Sequence, residues 1–153
     1  MRIRDKIKKP QRPVVAYEIL PPREKDGTLN SYAETISSLL SQTHIDAINI
    51  PEVLDEAGRG DRPIANYKRG EPREFGRLLQ DIVGIEAIVN RVVVHDDYDT
   101  QMKWFEETNK VYEIENMIIV GGESSNVEYP GPTVNQTLEA ISNIYNKDGK
   151  DIF

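Results

Sequence analysis

Short apolar runs recur along the chain, and each run ends at proline, glycine or charged residues. Runs of about four to eight residues that are rich in valine and isoleucine predict β-strands, and stretches with apolar residues three or four apart predict helices. The predicted strands are residues 14–20, 45–50, 87–94 and 116–120. The predicted helices are residues 29–42, 72–83, 99–112 and 134–145.

Strand and helix therefore alternate four times. Short apolar strands separated by helices indicate an α/β fold with a parallel sheet and right-handed crossover connections. The basic residues 1–13 precede the first strand, and we predict that they form a solvated N-terminal arm, with residues 14–153 as the folded domain. The polar connection over residues 52–71 is long for a compact domain, which is typical of a functional or mobile segment.

Composition narrows the class of protein. The chain has 153 residues, a charged content of 29% and a formal net charge of −7, which suits one globular domain and argues against nucleic acid as a partner. It has no cysteine, so disulfides and thiolate chemistry are excluded. No apolar run approaches the roughly 20 residues of a membrane helix, and the N-terminus lacks the apolar core of a signal peptide. We therefore expect a cytoplasmic protein without a membrane partner.

Polar residues stand at the ends of all four predicted strands. They are Glu18, Asn49, His95 with Asp96, and Glu123. In parallel α/β folds, ligands bind at the carboxyl ends of the strands, so these residues predict one rim of a binding site. Each residue taken singly also fits an ordinary turn, and Glu18 also fits a surface position on an edge strand.

The glycine pair Gly121-Gly122 follows the fourth strand, ahead of Glu123 and two serines. Glycine lets a backbone approach a flat ring or a phosphate closely, and Glu123 could accept hydrogen bonds from a heterocycle. A strand-to-loop turn that needs glycine is the alternative interpretation. Neither a Walker loop nor a dinucleotide-binding fingerprint is present. His95 is better suited to donate a hydrogen bond than to bind a metal, because His44 is the only other histidine.

The run Tyr17-Glu18-Ile19-Leu20-Pro21-Pro22-Arg23 resembles the first-strand motif of methylenetetrahydrofolate reductases. Gly121-Gly122-Glu123 stands where that family has Arg-Gly-Asp at the end of its fourth strand, and the resemblance spans roughly residues 14–145. It implies a (β/α)8 TIM-barrel type of fold, of which this chain carries about four βα units. It also implies a flavin-dependent oxidoreductase of folate metabolism that holds FAD and takes electrons from NAD(P)H.

By this resemblance Glu18 is the catalytic general acid, and Glu123 contacts both folate and flavin. We accordingly expect Gly121, Gly122, Glu123 and His95 on the cofactor side of the site, and Glu123 with Asn49 on the substrate side. The chain departs from the family at Gly121, which replaces arginine, and at the end of the second strand. These departures leave open a non-redox accessory domain of the same fold that binds a folate or pterin.

Length is the remaining constraint. A full barrel of this type needs about 200–250 residues or more, whereas 153 residues hold four βα units. The chain is therefore expected to form the N-terminal half of such a barrel, with an exposed sheet edge. We predict that this edge is paired with a second copy of the chain, is covered by another partner, or is poorly protected.

Overall fold

The computed structural model describes residues 2–54, 68–122 and 126–147. Four strands alternate with helices along the described chain, after one short N-terminal helix. In chain order the elements are α1 Ile3–Lys8, β1 Ala16–Glu18, α2 Leu29–Leu40, β2 Ala47–Ile50, α3 Pro72–Val83, β3 Glu86–Val92, α4 Tyr98–Lys110, β4 Asn116–Val120 and α5 Val134–Lys147, with one 3₁₀ turn at Glu24–Asp26.

The four strands form one sheet in the order β1-β2-β3-β4, and every neighbouring pair is parallel. The prediction of an α/β fold with four parallel strands alternating with helices is therefore confirmed. Helix α3 has the predicted bounds because Pro72 starts it and Gly84 ends it in the left-handed conformation, with a φ of 72°. Helix α2 begins after Thr28, whose side chain accepts a hydrogen bond from the Ser31 amide.

The core lies on one face of the sheet. Side chains of α2, α3 and α4 pack there against the inward residues of β2 and β3. The fully buried members of this cluster are Ala33, Ile48, Ile50, Phe75, Leu79, Ala87, Val89 and Ile114. A second cluster joins α4 and α5 to the ends of β3 and β4 through Phe105 and Ile141.

The opposite face of the sheet is less covered, and we call it the open face. Burial alternates along β3, where every second residue from Glu86 to Asn90 is only partly buried. The open face carries Glu18, Asn49, Ile88, Asn90 and Ile118. Ile118 keeps 43% of its surface exposed. Parallel sheets normally have both faces covered, so a parallel sheet with one open face is unusual.

Most side chains of the predicted N-terminal arm are exposed, but the arm is also ordered and attached to the domain. Helix α1 lies across the amino ends of the strands, where Ile3 is buried and its amide donates to the Glu86 carboxylate. Lys6 and Arg12 both bind the buried Asp46 carboxylate, at 2.9 and 2.7 Å. The hydrogen bond from Lys6, then that from the Val15 amide and those from Arg12, hold the pKa of Asp46 well below its usual range.

In the ranges that the structure describes, no helix has both the length and the apolar character needed to cross a membrane.

Candidate functional site

Glu18 and Asn49 stand side by side at the carboxyl ends of β1 and β2. The register pairs the two residues directly, and both side chains lie on the open face. The Asn49 side-chain amide donates a hydrogen bond of 3.1 Å to the Glu18 carboxylate. Glu18 is exposed to solvent, so the cost of burying a carboxylate in an apolar strand does not arise. Two of the predicted rim residues are therefore in direct contact.

Asn90 is a third polar residue of the open face, and the sequence reasoning missed it. It lies on β3 beyond the position that pairs with Asn49, and it is flanked by Ile118 of β4. The side-chain oxygens of Asn49 and Asn90 are shielded from solvent, and neither accepts a hydrogen bond from a group in the described ranges. A shielded acceptor without a donor costs about 1–3 kcal/mol. The open face therefore carries two amide groups whose shielded oxygens lack a described donor.

His95 and the glycine pair follow the carboxyl ends of β3 and β4, in the half of the sheet away from β1. The His95 ring meets the Tyr129 ring edge to face, with the ring centroids 5.4 Å apart. Tyr129 also lies directly over Gly122, since a Cβ added there would come within 2.2 Å of the tyrosine ring. A Cβ on Gly121 would meet only Val134, at 3.5 Å. The close approach that Gly122 permits is thus used by Tyr129.

Glu123, the predicted contact to both folate and flavin, lies outside the described residues, as do Ser124 and Ser125. The described part of the predicted rim therefore forms two groups. One group is Glu18 with Asn49 on the open face, and the other is His95 with Tyr129 beside the glycine pair.

Arg91 is the most connected side chain at the carboxyl end of β3, and the sequence reasoning did not identify it. Its guanidinium is almost fully buried and donates to Glu52 at 2.7 Å, to Gln101 at 2.9 Å and to Asp96 at 2.5 Å. The second oxygen of Glu52 accepts from the Val92 amide at 2.7 Å. Asp96, which was predicted at the rim together with His95, therefore binds Arg91. The Arg91–Glu52 pair connects the segment after β2 to the end of β3.

The proline pair after β1 has a structural role. Pro21 and Pro22 are buried, and their carbonyls accept hydrogen bonds from Arg69 at 2.8 Å and from Gly70 at 3.0 Å. Arg23 binds Asp26 through two nitrogens, and its hydrogen bond lowers the pKa of that carboxyl. The two prolines therefore connect the C-terminal part of the long connection, at Arg69 and Gly70, to the segment that follows β1.

A cavity of about 700 Å³ lies beside this segment and is lined by residues that include Pro21, Pro51, Arg69 and Glu71. Neither Glu18 nor Asn49 lines it. Within the described ranges, the paired Glu18 and Asn49 therefore lie on a sheet surface beside this cavity and do not line it.

No protein-family model matches this chain, and no curated protein sequence matches it either. The likeness to methylenetetrahydrofolate reductases therefore rests on the residues quoted above.

Proposed function

We propose that this chain is the N-terminal half of a (β/α)8 TIM-barrel-type oxidoreductase of one-carbon metabolism, similar to methylenetetrahydrofolate reductase, in which Glu18 is the general acid. The observation that carries the proposal is the contact between Glu18 and Asn49 on the open face, where the side-chain oxygens of Asn49 itself and of Asn90 lack a described donor. A carboxyl group with acceptors beside it suits a nitrogen heterocycle that must be both oriented and protonated.

The sheet supports the barrel part of the proposal. Its strands follow one another in sequential parallel order, and helices α2 to α4 pack on one face. In a barrel, that arrangement turns the other face inward, where it is covered by strands from the opposite side. The half-exposed Ile118 and the amides of Asn49 and Asn90 then lie inside.

The residues of the open face fit a pterin or an isoalloxazine ring. Both rings present N–H groups, and the amides of Asn49 and Asn90 would have to turn their shielded oxygens outward to accept hydrogen bonds from them. The expected cradle at Gly122 does not fit, because the Tyr129 ring occupies the space above it. A bound flavin would therefore be held from the open face, where it would supply the hydride chemistry between NAD(P)H and the folate.

Glu18 would deliver a proton to a ring nitrogen of the folate, and Asn49 would hold the carboxyl group in place. Asn49 donates to an ionised Glu18, and its amide can turn to accept from a protonated one. Asn49 can therefore contact Glu18 in both states of the reaction. Proton transfer of this kind contributes typically about 10²–10⁴-fold to a rate.

The experiment is a titration of the purified chain with FAD, followed by flavin absorbance near roughly 450 nm, and then an assay of methylenetetrahydrofolate reduction with NADH or NADPH. We expect Glu18→Gln to bind flavin normally and to lose about 10²-fold or more in turnover. Glu34→Gln, an exposed glutamate on α2, is the matched control and should leave turnover unchanged. Failure to take up FAD, or full turnover in Glu18→Gln, would contradict the proposal.

A non-redox domain that binds a folate or pterin is the second candidate. The position of Tyr129 over Gly122 favours it, because this position removes one expected flavin contact. Such a domain would bind a reduced pterin without taking up FAD, and Asn49→Ala or Asn90→Ala would weaken pterin binding. The same titration repeated with tetrahydrofolate separates the two candidates.

A further inference from the structure

A cavity of about 330 Å³ lies at the amino ends of β1 and β2, beside the N-terminal segment. Its lining comes from residues within the segment 6–14 and from Asp46, which directly precedes β2. Glu18 and Asn49 lie at the opposite ends of the same two strands. The cavity also shares no lining residue with the larger one beside Pro21. The proposed function therefore makes no use of it.

This cavity is positively charged, although the chain as a whole has a formal charge of −7. The charged side chains that line it are the three cations Lys6, Lys9 and Arg12 and the one carboxylate of Asp46, which together give a formal charge of +2. The Asp46 side chain is only 1% exposed, whereas those of Lys6 and Arg12 are 29% and 55% exposed. A ligand that enters the cavity therefore meets the cations before the carboxylate.

Attachment of the N-terminal segment accounts for only part of this positive charge. Lys6 and Arg12 both contact the same oxygen of Asp46, Oδ1. One cation would balance one carboxylate, so the second is in excess. Lys9 adds a third, and it is not among the groups in the described ranges that bind Asp46. The fold thus gathers more positive charge here than its own carboxylate requires.

The same cations keep hydrogen-bond donors for a ligand. Arg12 has five N–H groups and gives three of them to Asp46 and to the Pro13 carbonyl. Lys6 has three N–H groups and gives one to Asp46. Within the described ranges, each of these two side chains therefore retains two donors. Asp46 holds both side chains in place, so a ligand would find them already oriented.

We propose that this cavity binds the phosphate group of a small organic phosphate. A phosphate monoester carries nearly two negative charges at neutral pH and presents three strong acceptor oxygens. It therefore matches an excess of two positive charges together with N–H donors. Lys6, Lys9 and Arg12 would donate to the phosphate oxygens, and Gln11 supplies a further amide donor at the cavity wall.

The size of the cavity limits the organic part of the ligand. A volume of about 330 Å³ is near the lower end of the roughly 300–1,000 Å³ that is typical of small-molecule sites. Pro13 and Val14 give the cavity an apolar wall for a short carbon chain. A polyol or sugar phosphate fits these limits, whereas a dinucleotide is too large. The site is therefore distinct from any flavin site on the open face.

The test is a titration of the ¹⁵N-labelled chain with glycerol 3-phosphate, followed by amide chemical shifts. An ionic strength of roughly 10 mM keeps the screening length near 30 Å. We expect saturable shifts on the amides of residues 6–15 and of Asp46, with a dissociation constant of about 1 mM or tighter. Acetate carries one charge and should bind at least about tenfold more weakly, and uncharged glycerol should leave these amides unshifted.

Lys9→Ala removes one of the three cations and leaves the bonds to Asp46 in place, so the fold should be kept. It should weaken binding of glycerol 3-phosphate by about tenfold. Lys103→Ala removes the same charge from an exposed position on α4 and is the matched control, which should bind like the unaltered chain. Shifts that lie on other surfaces, equal affinity for acetate, or equal binding by the two variants would overturn the proposal. The proposed function concerns the opposite ends of the strands, so a failure to bind flavin would contradict only that function.

Discussion

Removing the guanidinium of Arg91 should destabilise this protein more than removing any surface arginine. The Arg91 side chain is 10% exposed, and its partner Glu52 is 13% exposed. Taking away one member of a buried ion pair leaves the other charge uncompensated and costs about 3–5 kcal/mol. Domains of this size are stable by about 5–15 kcal/mol, so Arg91→Met should lose roughly a fifth or more of the free energy of unfolding. Methionine keeps an apolar stem beside Trp104, whose ring lies 5.1 Å from the guanidinium carbon.

Glu52→Gln completes a double-mutant cycle with Arg91→Met. Glutamine keeps an oxygen for the Val92 amide, so the cycle isolates the charge pair from the backbone hydrogen bond. Once Glu52 is neutral, the loss of Arg91 no longer leaves a buried charge beside β3. The double variant should therefore be more stable than the sum of the single losses predicts, by roughly 1–3 kcal/mol.

The assay is urea unfolding followed by far-UV circular dichroism, with Arg77→Met as the control. Arg77 binds Asp81 and Glu113 on the surface, where its side chain is 36% exposed, so its loss should be far smaller. Losses of Arg91→Met and Glu52→Gln that add within about 0.5 kcal/mol would refute a buried charge pair between these residues. The pair is refuted equally if Arg91→Met is no more damaging than Arg77→Met.

Two further predictions concern the loop before α5 and the N-terminal helix. Gly131→Ala should lower the free energy of unfolding by about 1–3 kcal/mol, because the added Cβ would lie 2.6 Å from the Val93 carbonyl oxygen. Gly121→Ala is the control and should fold normally, so equal melting temperatures for the two variants would contradict this prediction. The lowered pKa of Asp46 means that its stabilising contribution is present above its unfolded pKa of about 3.9 and is lost as pH falls through the lower folded value. In Asp46→Asn the melting temperature should therefore fall less steeply as the pH is lowered. An unchanged dependence of melting temperature on acidic pH would contradict the role assigned to the hydrogen bonds from Lys6 and Arg12.

Elements with complete local signals were predictable from the sequence. Helix α3 has a proline at its start, an apolar face and a glycine just past its end, and its bounds were predicted without error. Strand β4 is Asn116 followed by four apolar residues, and it was also placed correctly. Helix α1 was missed because it has six residues, too few for a periodic signal. Its position depends on contacts with Glu86 and Asp46, which are distant in sequence.

The site was only partly predictable for the same reason. Glu18 and Asn49 could be grouped because each ends a strand, and parallel strands bring such ends together. Arg91 and Asn90 lie within an apolar run that predicts a strand but does not show which of its two faces the helices cover. The face follows from the register with β2, and that register is set by tertiary packing. One period-2 comparison of residues 86–92 would have placed Asn90 with Ile88, opposite Ala87 and Val89.

The proposed barrel closure would account for three features of the open face together. Glu18 is exposed where the proposed chemistry needs a site shielded from water, two amide oxygens lack a donor among described groups, and Ile118 is half exposed. A charged surface patch would account for Glu18 but would leave the amides and the isoleucine unexplained. A ligand alone would satisfy the amides but would leave the backbone edges of β1 and β4 unpaired. A cover built from parallel strands accounts for all of these features, because it pairs the edges, buries Ile118 and excludes water from Glu18. The proposed acid and the proposed barrel are therefore linked, because the closure that pairs the edges would also create the environment in which Glu18 could hold and transfer a proton.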